Sequence, residues 1–465
     1  MDFPSPELDA AGTLGDALRT CGYGDTAIDE LLGDDAYETV LDDVPALERR
    51  LPRTPLAAVV RVLFLELPVP EPALEEALGP EGVAALAALG LAELGADVTP
   101  RLRVSPVGDL LIASDVLSSD PSSDPEDYVA TYTPTSRICD FLTPRPRVER
   151  ALDVGTGNGV HALLAARHAA HVVATDVNER ALAFTAINAA LNGLTNVECR
   201  RGSMFDPVEG ERFGLITCNA PFVISPERRW AYRDGWLEGD EISAEAVLGA
   251  AGHLEEHGFA TLCVSWLGRN EDEPDEHVLD WVERTGCSAW ILTLDEAPPL
   301  EHAARWNAHL VGDADAYAGA LERWTSYVAG LGAGWVTEGA VILYRGAADP
   351  AVRIDEVDPD ELEVADEQIR RAFGARARLA ALRDGELRRQ TLRAVASLRA
   401  EIELAPDREP HAVVRLDEGT HPALDASPRA AEQVVGLDGG GRIGREAAEL
   451  ARELLEVGAL EFAGE

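Results

Sequence analysis

The run from Arg150 to Asn178, RALDVGTGNGVHALLAARHAAHVVATDVN, leaves little freedom in what it can build. An apolar segment ends in Asp153-Val154, a loop carrying Gly155, Gly157 and Gly159 follows, and an apolar-periodic helix opens near Val160. A second apolar segment, Val172–Asp176, closes on an acid twenty-three residues after Asp153. Strand, glycine loop, helix and strand in that order make one unit of an open parallel α/β sheet. The glycines permit positive φ in a tight turn and let the backbone approach a ligand closely. An acid at the end of the second strand is placed to accept both hydroxyls of a ribose.

The same alternation of short apolar runs and amphipathic helices extends from about Tyr128 to Gly346. Strands are expected at Arg150–Val154, Val172–Asp176, Val197–Arg201, Leu215–Asn219, Ala260–Trp266, Ala289–Thr293 and Ala340–Tyr344. That gives a seven-strand doubly wound, Rossmann-like α/β domain. The stretch Leu294–Glu338, between the last two strands, is longer than a hairpin needs and reads as an insertion with a helix near Tyr317–Leu331. Upstream, residues 1–115 read as short helices followed by a ribbon within Val98–Ile112. Thr54-Pro55 forms a helix start, and Gly90 a stop. Helices and a ribbon in that order outline a winged helix, but EGVAALAALG, its third helix, carries no Arg to reach phosphates. The polar run SSDPSSDPED lies in a linker at 116–127, so the central domain is drawn at 128–346. A mostly helical accessory domain follows at 347–465. Its Gly439-Gly440-Gly441 lacks the Lys-Ser/Thr of a phosphate loop and reads as a turn.

Composition excludes several classes. The net charge of -43 argues against a sequence-independent grip on a phosphate backbone. Every one of the 40 basic residues is Arg. The most apolar stretch, Leu56–Val69, is interrupted by Arg61 and Glu66 and is too short to span a bilayer. The N-terminus has no secretory pattern, so a cytoplasmic protein with no membrane association is expected. The six cysteines are scattered without CxxC spacing and there are only ten histidines, so no metal site is expected.

A dinucleotide reader needs G-x-G-x-x-G, and its third glycine would fall on Val160. The spacing here is G-x-G-x-G, preceded by an acid at the strand end, which suits a ligand without a pyrophosphate. S-adenosyl-L-methionine is such a ligand, and its cationic amino end can pair with Asp153 or nearby carbonyls. The residues of this unit expected to hold it are Asp153, Gly155, Thr156, Gly157, Asn158, Gly159, Asp176 and Val177. A nicotinamide oxidoreductase is the reading that Val160 disfavours.

The fourth strand, in GLITCNAPFVISP, ends in Asn219-Ala220-Pro221-Phe222. This resembles the N-P-P-Y/F motif of methyltransferases that act on amide or exocyclic amino nitrogens. The run from Asp153 to about Trp266 resembles the methyltransferase small domain group of class I enzymes. It is most similar to the HemK-like family, which methylates a glutamine of translation release factors. AINAALNGLTNV, with Asn188 and Asn192, and Tyr132-Thr133-Pro134 add to the likeness. The resemblance implies that Asn219, Ala220, Pro221 and Phe222 form the catalytic loop. An amide nitrogen is a feeble nucleophile because its lone pair is delocalised. Asn219 Oδ1 and the Ala220 carbonyl can each take one of its hydrogens and aim the lone pair, while Phe222 offers a flat stacking face. In-line positioning of two bound reactants supplies the rest, roughly 7–11 kcal/mol. Ala220 departs from the family proline and costs the loop a fixed φ, about 0.4–1 kcal/mol. Ser203 stands where relatives often carry an Asp for the adenine amine, and the resemblance implies that Ser203, Met204 and Asn219 complete the cofactor-binding residues.

The remaining candidates are isolated. His161 reads as a packed helix-start histidine before it reads as a base. Trp230, Tyr232 and Trp236 follow the acceptor loop as a lid or as ordinary packing. From Glu198 to Arg233 six Arg face five acids, a local charge of +1, with Arg228, Arg229 and Arg233 at its end. The expected activity is N-methylation of a macromolecular acceptor, protein ahead of nucleic acid. The alternatives are a base amino methyltransferase acting on rRNA, tRNA or DNA, and a catalytically degenerate module that binds cofactor or partner.

Overall fold

The computed structural model describes residues 5–33, 36–37, 43–118, 125–219, 221–227, 237–346, 349–383, 385–403 and 410–463. At its centre is an eight-stranded sheet: β1 (Val148–Val154), β2 (Ala169–Asp176), β3 (Val197–Arg201), β4 (Phe213–Cys218), β5 (Leu254–Gly268), β6 (Ser288–Ala297), β7 (Trp335–Tyr344) and β8 (Val352–Glu356). The strand order is 3-2-1-4-5-7-6-8. All neighbours are parallel except β7, which runs antiparallel between β5 and β6. Each of the seven expected strands is present, and β8 joins the edge beyond them.

The connecting helices are α1 (Pro134–Leu142), α2 (Val160–Ala165), α3 (Glu179–Leu191), α4 (Glu241–His253), α5 (Glu276–Thr285), α6 (Pro299–Trp306) and α7 (Ala314–Gly330). The sheet is covered on both faces, and its strands show this residue by residue. Ala151, Val172, Ala174, Leu215, Ala340 and Ile342 pack into one core with α1 and α2. Their neighbours Leu152, Val173, Ile216, Val341 and Leu343 pack into another with α4 and α5. A two-residue period divided between two apolar cores is what a doubly wound sheet requires.

The flanks extend these cores. The C-terminal region packs on the first face through Phe373, whose ring meets Phe259 and Tyr344, and Arg376, whose guanidinium lies 4.6 Å from the Trp290 ring centre. That end carries the strand pairs as well as helices: Leu392–Ala394 with Leu460–Phe462, and Leu398–Glu403, His411–Leu416 and Ala423–Ala426 as a three-stranded sheet. In the N-terminal region, Glu71–Ala88 breaks at Gly79 (φ 69°), just before Pro80. The ribbon expected within Val98–Ile112 divides in two. Asp97–Pro100 pairs with Ala92–Glu93 and Val69–Pro70, whereas Arg103–Val107 pairs with Leu110–Ser114. The break falls where the Arg101 and Leu102 amides both donate to the Leu91 carbonyl, and Gly108 (φ 58°) supplies the second turn.

Two asparagines explain how this hairpin is held. Asn188 Oδ1 accepts from the Ala113 amide (2.8 Å), and its Nδ2 donates to the carbonyls of Ala113 (2.9 Å) and Asn158 (2.8 Å). Asn192 makes the equivalent pair with Leu111, at 2.9 and 2.7 Å. The Arg180–Asp115 ion pair adds a third tie.

Candidate active site

In an open α/β sheet, ligands bind outside the carboxyl ends of the strands where the order reverses. Here the reversal lies between β1 and β4, and a cavity of about 460 Å³ opens there. That is within the range of small-molecule sites, roughly 300–1,000 Å³.

The glycine loop turns with positive φ at Gly155 (66°), Gly157 (56°) and Gly159 (87°). The last two serve different ends. A Cβ on Gly159 would stand 2.9 Å from the Thr185 side chain, so that glycine lets the loop pack on α3. A Cβ on Gly157 would meet no atom within 4 Å, and Gly157 lines the cavity.

Asp153 lies inside the turn, 1% exposed. Its Oδ2 accepts from the Thr156 hydroxyl (2.6 Å) and the Ala162 amide (3.1 Å), and its Oδ1 accepts from the Thr217 hydroxyl (2.8 Å). It therefore braces the loop from behind and is not among the cavity-lining residues, nor are Gly159 and Ser203. Asp176 does line the cavity. Its Oδ2 accepts from the Gly157 amide (3.0 Å) and its Oδ1 from the Asn178 amide (2.8 Å). Burial pushes its carboxyl above the ordinary aspartate range, and those two amides pull the other way. Val177, Gly202 and Met204 extend this wall. Met204 holds a positive φ of 44°, uncommon for a residue with a side chain.

Across the cavity, β4 delivers Asn219, Pro221 and Phe222. Asn219 Nδ2 donates to Ser136 Oγ at 3.4 Å, and Phe222 packs with the buried Cys139 and Cys263. Ser136 and Cys139 lie one turn apart on α1, so a single helix face supports both Asn219 and Phe222. His161, 6% exposed, is on the cavity wall, and its Nε2 has no partner among the described residues. Ala220, Arg228, Arg229, Trp230, Tyr232, Arg233 and Trp236 lie outside the described residues.

The structure thus brings together Gly155, Thr156, Gly157, Asn158, Asp176, Val177, Met204, Asn219, Pro221 and Phe222 around one cavity. Sequence reasoning missed the wall formed by Tyr128–Thr131 and Thr133–Ser136, although Tyr132-Thr133-Pro134 had marked the place. Asn158 Nδ2 ties that wall to the glycine loop through the Ala130 carbonyl (2.9 Å). It also missed Trp306, which reaches the cavity from the insertion. Nothing around Trp306 in the sequence signals that role.

The family model described as "Methyltransferase domain" matches residues 147–234. That match spans β1 to β4 of the central sheet. A second family, described as a domain of unknown function (DUF7059), matches residues 20–103. Over 129 residues the chain is 36% identical to a release factor glutamine methyltransferase of Xylella fastidiosa, covering 25% of this chain and 47% of that one. Over 165 residues it is 41% identical to a ribosomal protein uL3 glutamine methyltransferase of Bordetella pertussis, covering 32% of this chain and 54% of that one. The chain spans about half the length of these curated relatives. A methyltransferase of known structure from Pyrococcus furiosus is 21% identical, with a TM-score of 0.28 over 46% of this chain and 83% of that one. Among the described residues, no helix is long and apolar enough to cross a membrane, and no group of three His, Cys, Asp or Glu could hold a metal ion.

Proposed function

We propose that this chain is a cytoplasmic S-adenosylmethionine-dependent N-methyltransferase whose acceptor is the side-chain amide of a protein glutamine. One observation carries the reading: a single cavity has the glycine loop and Asp176 on one wall and Asn219 and Phe222 on the other. When bound, S-adenosylmethionine supplies an electrophilic sulfonium methyl. The first wall fits that cofactor. Gly157 presents bare backbone to open space, and each Asp176 oxygen, having taken one amide N–H, keeps a lone pair for a ribose hydroxyl. Val177, 37% exposed, offers apolar surface beside it. Gly155, Thr156, Gly157, Asp176, Val177 and Met204 would hold the cofactor, with Asp153 fixing the loop they stand on.

The second wall does the work on the acceptor. With Asn219 Nδ2 directed at Ser136, Oδ1 is the amide atom that takes an N–H of the incoming nitrogen. The carbonyl of residue 220 takes the other, which draws the nitrogen out of conjugation and aims its lone pair. Phe222, buried and backed by Cys139 and Cys263, gives a planar group a fixed face. Neither a metal nor a strong base is needed for these roles. The net charge of -43 supports a protein acceptor over a nucleic acid, as do relatives named for a release factor and a ribosomal protein.

The test is to incubate the full chain with methyl-labelled S-adenosylmethionine and cell extract. Label should resist nuclease, disappear with protease, and map to glutamine as a mass gain of one methylene. Label confined to nucleic acid would give the acceptor as a base amino group. Stoichiometric cofactor binding with no transfer would make the domain a binding module.

A further inference from the structure

Trp306 lines the cavity although it lies 84 residues beyond Phe222 in the sequence. It is the last residue of α6, in the helix pair inserted between β6 and β7. Its position is over-determined. The indole Nε1–H donates to Glu338 Oε1 on β7 at 2.7 Å. The same oxygen lies 3.7 Å from His302 Nδ1, one turn back on α6. His302 is 1% exposed, and its Nε2–H donates to the Ile224 carbonyl at 2.9 Å, two residues beyond Phe222. Trp306 also packs with Val223 against Ala303 and Trp324. The second inserted helix, α7, grips the chain further on, where the Gly239 amide donates to the Tyr327 hydroxyl at 2.8 Å.

We propose that Trp306 is the specificity-determining wall of the acceptor half, aimed by Glu338 and His302. This rests on the acceptor assignment above. Packing of Trp306 with Val223, and the His302 bond to the Ile224 carbonyl, place the ring beside the acceptor loop, while Asp176, Val177 and Met204 stand on the cofactor wall. With its only donor taken by Glu338, the indole presents the acceptor with an apolar surface and no hydrogen bond. Such a wall narrows the slot to a flat group and turns away bulky or tetrahedral ones. Glu338 and His302 are positioning residues, because they fix the ring and the loop and touch no reacting atom. Burial favours the neutral form of both, holding the Glu338 carboxyl above its ordinary range and the His302 imidazole below its own.

The experiment compares full-length wild type, Trp306→Ala and Trp306→Phe for methyl transfer to the protein fraction of a nuclease-treated extract. S-adenosylhomocysteine affinity is measured alongside. Trp306→Ala should raise the half-saturating acceptor concentration roughly thirtyfold, the scale of a buried tryptophan anchor, with cofactor Kd unchanged within about twofold. Trp306→Phe should recover most of the loss. Glu338→Ala should reproduce the Trp306→Ala phenotype, and Glu338→Gln, whose oxygen still accepts the indole N–H, should recover most of it. A Trp306→Ala enzyme with wild-type half-saturation overturns this inference and leaves the methyl-transfer reading standing. So does one in which cofactor and acceptor affinity fall together. A wild-type chain that binds cofactor and transfers methyl to nothing overturns both.

Discussion

The two walls of the cavity are built in opposite ways. On the wall proposed for the cofactor most parts come from nearby chain: Asp153 is held by Thr156 and Ala162, Asp176 by Gly157 and Asn178, and Gly159 packs on Thr185, with Thr217 of β4 a distant brace on Asp153. On the wall proposed for the acceptor the parts converge from far apart. Asn219 leans on Ser136, 83 residues upstream, and Trp306 arrives from an insertion 84 residues past Phe222. One strand–loop–helix–strand unit carries most of the first wall, whereas the second exists only once distant segments have folded together.

Four substitutions test that contrast. Asp153→Ala should have the largest effect, because it leaves two buried hydroxyls and an amide without their acceptor. At about 1–3 kcal/mol for each unsatisfied group, the loss of stability should reach about 3 kcal/mol or more by urea denaturation. An unchanged midpoint would mean that the loop is not braced from behind.

Asn219→Ala should lower single-turnover rate by ~10²–10³, or about 2.7–4 kcal/mol, with cofactor Kd near wild type. Asp176→Ala should do the converse and weaken S-adenosylmethionine binding by about one to two orders of magnitude. The pH dependence has a definite sign. The proposed ribose contacts would need the ionised Asp176, whose pKa is raised by burial, so affinity should fall on acidification before an ordinary aspartate would protonate. In the ligand-free chain the same shift acts oppositely on folding. Its stabilising contribution is complete below the unfolded aspartate pKa and is lost as pH rises through the raised one. Titration calorimetry across that range checks the first and urea denaturation of the ligand-free chain the second, each with Asp176→Ala as control. The smallest effect belongs to Ser136→Ala, which should slow transfer about threefold by loosening Asn219 without touching the cofactor wall.

The contrast also explains what could be read from the sequence. The seven strands, the glycine loop, Asp176 and the Asn219–Phe222 loop are each encoded in a few adjacent residues, and periodicity exposes them. Asn188 and Asn192 stood out as part of a family likeness, but their work is to pin the hairpin Arg103–Val107 and Leu110–Ser114 to α3. Asp153 was expected to face the ligand, and a spacing rule cannot tell an acid in front of a loop from one behind it. β8 was missed because Val352–Glu356 is short and carries charge at Arg353, Asp355 and Glu356. Its place at the edge depends on partners in β6. Trp306 had no local signal at all, since only the fold of the insertion brings it to the cavity.

The most direct test of the account is calorimetric titration of the full-length chain with S-adenosylhomocysteine and, separately, with NAD. One molecule of S-adenosylhomocysteine should bind per chain, Asp176→Ala should weaken that binding about tenfold or more while Asn219→Ala leaves it unchanged, and NAD should bind far more weakly or not at all. Tighter binding of NAD, or an Asp176→Ala chain that is folded and binds S-adenosylhomocysteine like wild type, would contradict it.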